Sequence, residues 1–290
     1  MSTTTPKPQF PSLDHLILFL PCSLDLTPAI PSSLSKAFTL TPGGRHADNL
    51  TSNTLILLSD GCYIELISFL PSAPPSSIPS HWWGPSPSRH GWTDWCLTTP
   101  PTSAHENYSR VRTTHAPPQA GERLRPDGEL VKWEVTFPAG ENGGQHIRGR
   151  IPFFCHDVTD RELRVPISQT SAAHPCGVRG VKEITVLVAV EDFEELADVY
   201  VEVLGTNGEK GGAGVSFEIA RVREIKGIPE GPKIVLKVAE KEEQEKVKER
   251  GFWFGDVVLM GDASEGKGAG KRERLDVGGD DVGGLWIEYV

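Results

Sequence analysis

His15 and Glu65 are the residues best placed to do chemistry. His15 stands in Leu13-Asp14-His15-Leu16-Ile17-Leu18 and Glu65 in Tyr63-Ile64-Glu65-Leu66-Ile67, each a polar group inside an apolar run. A carboxylate within such a strand is costly unless a metal, a cation or a set of donors pairs with it. Neutral imidazole with carboxylate suits Zn, Ni, Mn or Fe(II). The pattern recurs late in the chain, in Val181-Lys182-Glu183-Ile184-Thr185-Val186 and Gly284-Leu285-Trp286-Ile287-Glu288-Tyr289-Val290. A costly feature repeated at corresponding points suggests a site on a duplicated scaffold. His15 and Glu65 are therefore candidate metal ligands, and Glu65 or Glu288 a candidate catalytic proton carrier. A purely structural reading stands beside each: a satisfied core histidine, a carboxylate paired with arginine, an edge charge beside Lys182, and a C-terminal salt bridge.

A second group could bind substrate. Gly43-Gly44 lets the backbone approach a ligand closely, and Arg45, His46 and Asn53 follow as donors for a carboxylate or enediolate. Trp82, Trp83, Arg89, His90, Trp92 and Trp95 form the densest aromatic and cationic stretch. From it Trp83, Arg89 and Trp95 are expected to line or cover an apolar pocket that selects an anion. The competing reading is tryptophans packed at a junction.

These residues need elements to hold them. Leu13–Leu20 reads as a strand, 23–38 as a weak helix broken by Pro28 and Pro31, and 54–58 and 62–69 as a strand pair joined at Ser59-Asp60-Gly61. These read as a β-α-β-β-β unit, one strand of which carries no apolar run of its own. Strands over 91–97, 130–137 and 147–155 around a helix at 104–114 suggest a second copy. A third opens at 181–190, continues through an amphipathic helix over 190–204 and strands at 215–219, 233–238 and 256–260, and closes at 285–290. The expected class is α+β, with repeated βαβββ modules forming curved mixed sheets around a cup-shaped cleft. Residues 1–11 read as a disordered tail, 12–160 as one domain of two modules (12–70 and 91–156), and 175–290 as a third module.

Together these motifs resemble the glyoxalase-like domain family of the vicinal-oxygen-chelate superfamily. The match rests on Leu13 to Leu18, Thr41-Pro42-Gly43-Gly44-Arg45-His46, Thr51-Ser52-Asn53 and Tyr63 to Ile67, with Gly91-Trp92-Thr93-Asp94-Trp95, Ile151-Pro152-Phe153-Phe154 and His174-Pro175-Cys176-Gly177 beyond. The resemblance implies paired modules forming a cup, with metal ligands on the first and fourth strand of each. Mapped here, the first module supplies His15 and Glu65. The second offers Trp95 and about Phe153, which cannot bind metal, and the third offers Glu183 and Glu288. It further implies a metal-dependent lyase or isomerase acting on a small carbonyl compound through an enediolate. The alternative is a metal-free protein that sequesters a small molecule, of the bleomycin-resistance type. A dioxygenase would need two histidines and one carboxylate, and only His15 lies at a matching place.

Composition narrows the classes. The net charge of −10 argues against a nucleic-acid partner. Residues 1–150 are nearly neutral, with 11 basic and 12 acidic residues, and the remainder carries 18 and 27. No run of about 18 apolar residues suggests a membrane span, and the N-terminal residues do not read as a secretory signal. Five scattered cysteines fit free thiols in a reducing, cytoplasmic setting. No phosphate-binding glycine loop precedes a helix, so no nucleotide cofactor is expected. A small-molecule ligand is the expected partner, with homodimer formation where an odd module lacks a mate.

Overall fold

Strand β1 (Ser12–Phe19) is buried along its whole length, its polar Asp14 and His15 included. It belongs to a computed structural model that describes residues 11–84, 90–125, 127–212, 214–263, 267–276 and 282–290. The expected tail therefore lies, except for Pro11, outside the described residues. Helix α1 (Ser32–Ala37) starts directly after Pro31, which fixes φ and needs no helical donor. Strands β2 (Thr41–His46), β3 (Thr51–Leu57) and β4 (Tyr63–Phe69) complete the unit.

The second unit has the same order. It comprises β5 (Gly91–Thr98), α2 (Ala104–Val111), β6 (Gln119–Leu124), β7 (Leu130–Thr136) and β8 (Phe153–Asp157). Ser103 and Glu106 close a capping box at the start of α2. A single turn of helix, α3 (Arg161–Arg164), follows. β1 runs parallel to β4 and antiparallel to β5, and β5 runs parallel to β8. β2 then meets β6, with Arg45 opposite Leu124 and His46 opposite Arg123. That contact turns the expected cup into a closed eight-stranded barrel, in the order β1-β4-β3-β2-β6-β7-β8-β5.

The rest of the chain forms a second curved sheet. Its elements are β9 (Val178–Val188), α4 (Phe193–Leu204), β10 (Glu209–Gly211), β11 (Gly214–Glu218), β12 (Lys233–Val238), α5 (Gln244–Arg250), β13 (Trp253–Gly261), β14 (Arg272–Arg274) and β15 (Leu285–Tyr289). β9 is parallel to β12 and antiparallel to β13, and β13 is parallel to β15. This repeats the pairing at the centre of the barrel. The strands of the stretch read as one module over 175–290 pair in two sets: β9-α4-β10-β11-β12, and a shorter β13-β14-β15 with no helix among its described residues. β13 lies between β9 and β15, so Glu183 and Glu288 are not on neighbouring strands.

Strand alternation sets both interiors. Ile17, Phe19, Ile67, Cys96, Phe153 and Cys155 form an apolar cluster within the barrel. On the opposite face of the same strands, Leu16, Leu18, Leu66 and Trp95 join Ile184, Val186, Leu259 and Ile287 of the second sheet and Tyr200 of α4 in one continuous core. Among the described residues, no helix is long and apolar enough to cross a membrane.

Candidate functional site

The barrel encloses a cavity of about 400 Å³. Leu55, Trp83, Trp133, Val135, Phe137 and Phe153 give it apolar walls, and His15, His46 and Glu65 converge on it. β1 and β4 bring the first pair together: His15 lies opposite Tyr63 in the parallel register, and Glu65 is two residues further along the same face. His15 Nε2 is 3.7 Å from Glu65 Oε2. His46, at the end of β2, brings its Nε2 to 3.6 Å from Oε1 of the same carboxylate. Asn53 on β3 donates from Nδ2 to that Oε1 at 2.6 Å, while its own Oδ1 is buried without a hydrogen-bond partner. A side chain at Gly43 would overlap this amide oxygen, so glycine makes the room.

The far nitrogen of each imidazole is occupied. His15 Nδ1 is 2.6 Å from Asp14 Oδ1, and His46 Nδ1 is 2.7 Å from Thr51 Oγ1. A carboxylate on Nδ1 fixes the tautomer that leaves Nε2 free to accept. Burial, only partly opposed by Glu65, lowers the pKa of His46 and keeps its ring neutral near pH 7. Asp14 can turn toward these groups because β1 changes register against β5 between Leu13 and His15. It is fully buried and held by Arg161 Nη1 at 2.6 Å and by Arg164 Nη1 and Nη2, each at 2.9 Å. Burial opposes ionisation of Asp14, but the two arginines outweigh it and hold the carboxyl well below the usual range. Asp157 binds the same two arginines, and Arg164 also donates to the Tyr63 hydroxyl at 2.9 Å.

Residues 78–84 cover one side of the cavity. Trp82 stacks on Phe137 with centroids 4.2 Å apart and donates from Nε1 to Asp94 at 2.8 Å. Arg148 donates to the carbonyls of Trp82 and Gly84, and Gln145 to that of His81. His81 is 3.2 Å from Asp48.

A family model described as glyoxalase-like domain matches residues 13–204. The chain belongs to the glyoxalase-like domain family. With it comes the vicinal-oxygen-chelate superfamily that the sequence motifs resemble. Among solved structures, a hypothetical protein from Staphylococcus aureus is similar over 97% of this chain and 100% of its own, at 14% identity and a TM-score of 0.69. A 2,2',3-trihydroxybiphenyl 1,2-dioxygenase from Sphingomonas wittichii aligns over 97% and 91% at 11% identity, TM-score 0.48. A mutant 4-hydroxymandelate synthase from Streptomyces coelicolor aligns over 88% and 72% at 10% identity, TM-score 0.47. No protein of curated function gives a significant match.

Within this glyoxalase-like barrel, the sequence-derived candidates divide. His15, Glu65, His46, Asn53 and Trp83 line one cavity. Trp95 does not. Its strand turns it to the outer core, where Nε1 donates to the Gly149 carbonyl at 2.9 Å. The inward positions of the second module fall instead on Cys96, which lies opposite His15, and on Cys155, two residues beyond the register partner Phe153. Arg45 is exposed, because alternation along β2 sends it outward when His46 points inward. Glu183 on β9 and Glu288 on β15 belong to the second sheet and do not line the cavity. Glu288 pairs with Lys182 at 2.5 Å. Arg89 lies outside the described residues. Asp14, Tyr63, Arg123, Trp133 and Arg164 went unnoticed in the sequence. Only Asp14, adjacent to His15, carried a signal: a carboxylate next to a candidate ligand.

Asp14, His15 and Cys96 also bring possible metal-binding atoms within 4.8 Å of one another. The oxygens of Asp14 are already committed to two arginines and His15. His15, His46 and Glu65 are a second candidate set. Among the described residues its Nε2 atoms make no hydrogen bond, its outer partners are in place, and two imidazoles with one carboxylate suit a divalent transition metal.

Proposed function

We propose that this protein is a metal-dependent lyase or isomerase acting on a small carbonyl compound, with His15, His46 and Glu65 as the residues that hold the ion. The carrying observation is that both imidazoles have Nδ1 engaged and turn Nε2 toward different oxygens of one carboxylate, at 3.7 and 3.6 Å. Those separations are too long for hydrogen bonds, and each leaves the imidazole nitrogen and the carboxylate oxygen open to a shared cation. A divalent ion at this point supplies positive charge that polarises a carbonyl and stabilises the oxygen anion left by proton removal beside it.

The chain's own groups divide the remaining work. Asn53 holds Oε1 of Glu65, which fixes the carboxylate and leaves Oε2 to face the ion. The Tyr63 hydroxyl accepts from Arg164. Burial raises its pKa, so the phenol keeps its proton and can donate to a substrate oxygen. The Trp and Phe walls exclude water and strengthen each of these interactions.

Metal analysis of the purified protein by mass spectrometry tests the reading, with wild type beside His15→Ala and Glu65→Gln. About one equivalent of Zn, Ni, Mn or Fe per chain is expected, and both variants should lose it. A wild type that holds no metal and takes up none on soaking removes the enzyme reading. It leaves a cavity that binds a small apolar molecule without metal.

A further inference from the structure

We infer that the cavity contains an anion subsite at Arg123, and that its ligand is a small carboxylic acid with an aromatic or branched apolar body. The inference rests on the cavity being the substrate site. Arg123 is 4% exposed and lines the cavity. Among the described residues its hydrogen bonds go to main-chain carbonyls, those of Gly43 and Arg164. Among the described residues, no carboxylate lies within ion-pair distance of it.

The neighbouring arginines are built differently. Arg161 and Arg164 share Asp14 and Asp157, two cations against two anions. A buried guanidinium without an anion is costly. Carbonyl oxygens satisfy some of its donors but leave its charge in place. Glu65, the acidic group at the cavity's centre, attracts it through space but makes no hydrogen bond or ion pair with it. A ligand that brings its own carboxylate supplies the missing charge, and guanidinium geometry matches carboxylate well.

Position sets the rest of the ligand. Arg123 lies opposite His46 across the seam that closes the barrel, so the carboxylate would sit beside the His46–Glu65 cluster. Gly121 shares the inward face of β6 with Arg123. Opposite it stands Trp133, and a side chain at Gly121 would strike that indole. The glycine lets the ring lie flat along the wall next to the guanidinium. Val135, Phe137 and Phe153 continue the apolar surface away from it. One charged end and one hydrocarbon body describe the space.

Tryptophan fluorescence titration of the full chain with 3-phenylpropionate and with its amide tests this, in the presence of a chelator. The acid is expected to bind at least about tenfold tighter than the amide. Arg123→Gln should abolish that preference, and Arg123→Lys should keep part of it. Equal affinity for acid and amide in wild type, or binding of neither, overturns the inference. So does a preference that survives Arg123→Gln. Should that variant not fold, the wild-type comparison decides alone. Because the chelator removes any bound cation, these outcomes are independent of the metal content of the His15 and Glu65 variants, which tests the metal reading separately.

Discussion

At the scale of single residues, the site depends on groups that never touch the centre of the cavity. His15 presents Nε2 to Glu65 because Asp14 holds its other nitrogen, and Asp14 stays ionised because Arg161 and Arg164 surround it. Breaking such a buried pair from one side costs far more than the pair is worth, because the remaining charges are stranded. Asp14→Asn is therefore expected to destabilise the fold by about 3–5 kcal/mol in denaturant unfolding. Removing Asp127, whose pair with Arg125 is half exposed, should cost less than about 1 kcal/mol. Similar losses for the two would mean that water reaches the Asp14 network.

At the scale of elements, the strap over residues 78–84 owes its shape to Gly84. Its backbone is ordinary, but a Cβ there would run into the Ile78 carbonyl. Gly84→Ala should lift Trp82 and Trp83 from the cavity. The expected readout is a red-shifted tryptophan emission and faster acrylamide quenching, with the barrel still folding cooperatively. An unchanged emission would mean that Asp94 and Arg148 hold the strap unaided. The strands that position the site were largely legible, because β1, β3, β4, β7 and β9 carry dense Leu, Ile and Val or clear alternation. β2 and β6 were not, since Thr41-Pro42-Gly43-Gly44 reads as a turn and Gln119–Leu124 is polar and exposed on one face. Those two strands close the barrel, so the closure was hidden, and with it the meeting of His46 and Arg123. The face of Trp95 was hidden for a related reason: β1 and β5 shift register twice, and one residue of slip exchanges inside for outside. At the far end, a charged α5 and a Gly-rich stretch concealed that the last strands pair as a fourth, shortened unit. Glu183 and Glu288 then looked like a ligand pair when they lie on strands separated by β13.

At the scale of the whole molecule, buried titratable groups set how stability depends on pH. Burial, partly offset by donors from Trp82 and the Trp95 N–H, pushes Asp94 up to about 7. Burial likewise pushes Asp60 up to about 6, against the N–H groups of Val181 and Cys62. For both, the unfolded chain binds fewer protons than the folded one above pH 4, so stability falls as pH rises through the folded pKa. His115 and His156 are pushed down to about 4, chiefly by burial. Their unfolded forms titrate near 6.5, so the unfolded chain binds more protons between about pH 4 and 6.5 and stability rises with pH there. Below pH 6 the carboxylates and histidines oppose one another, and His174, also lowered by burial, tips the balance toward loss on acidification. Above pH 6.5 Asp60 is largely ionised in both states, but the unfolded histidines keep part of their protons up to about pH 7.5. Their loss of protons and the ionisation of Asp94 therefore oppose one another between pH 6.5 and 8. Denaturant unfolding of the wild type should fall on acidification below pH 6 and change little between pH 6.5 and 8. Asp94→Asn shifts the whole curve by the cost of its altered hydrogen bonds, and it should turn that plateau into a rise of roughly 1 kcal/mol toward pH 8. The slope rather than the offset carries the test. A wild type that already rises by that amount would mean that Asp94 is ionised in the fold, with water reaching the carboxylate that anchors Trp82.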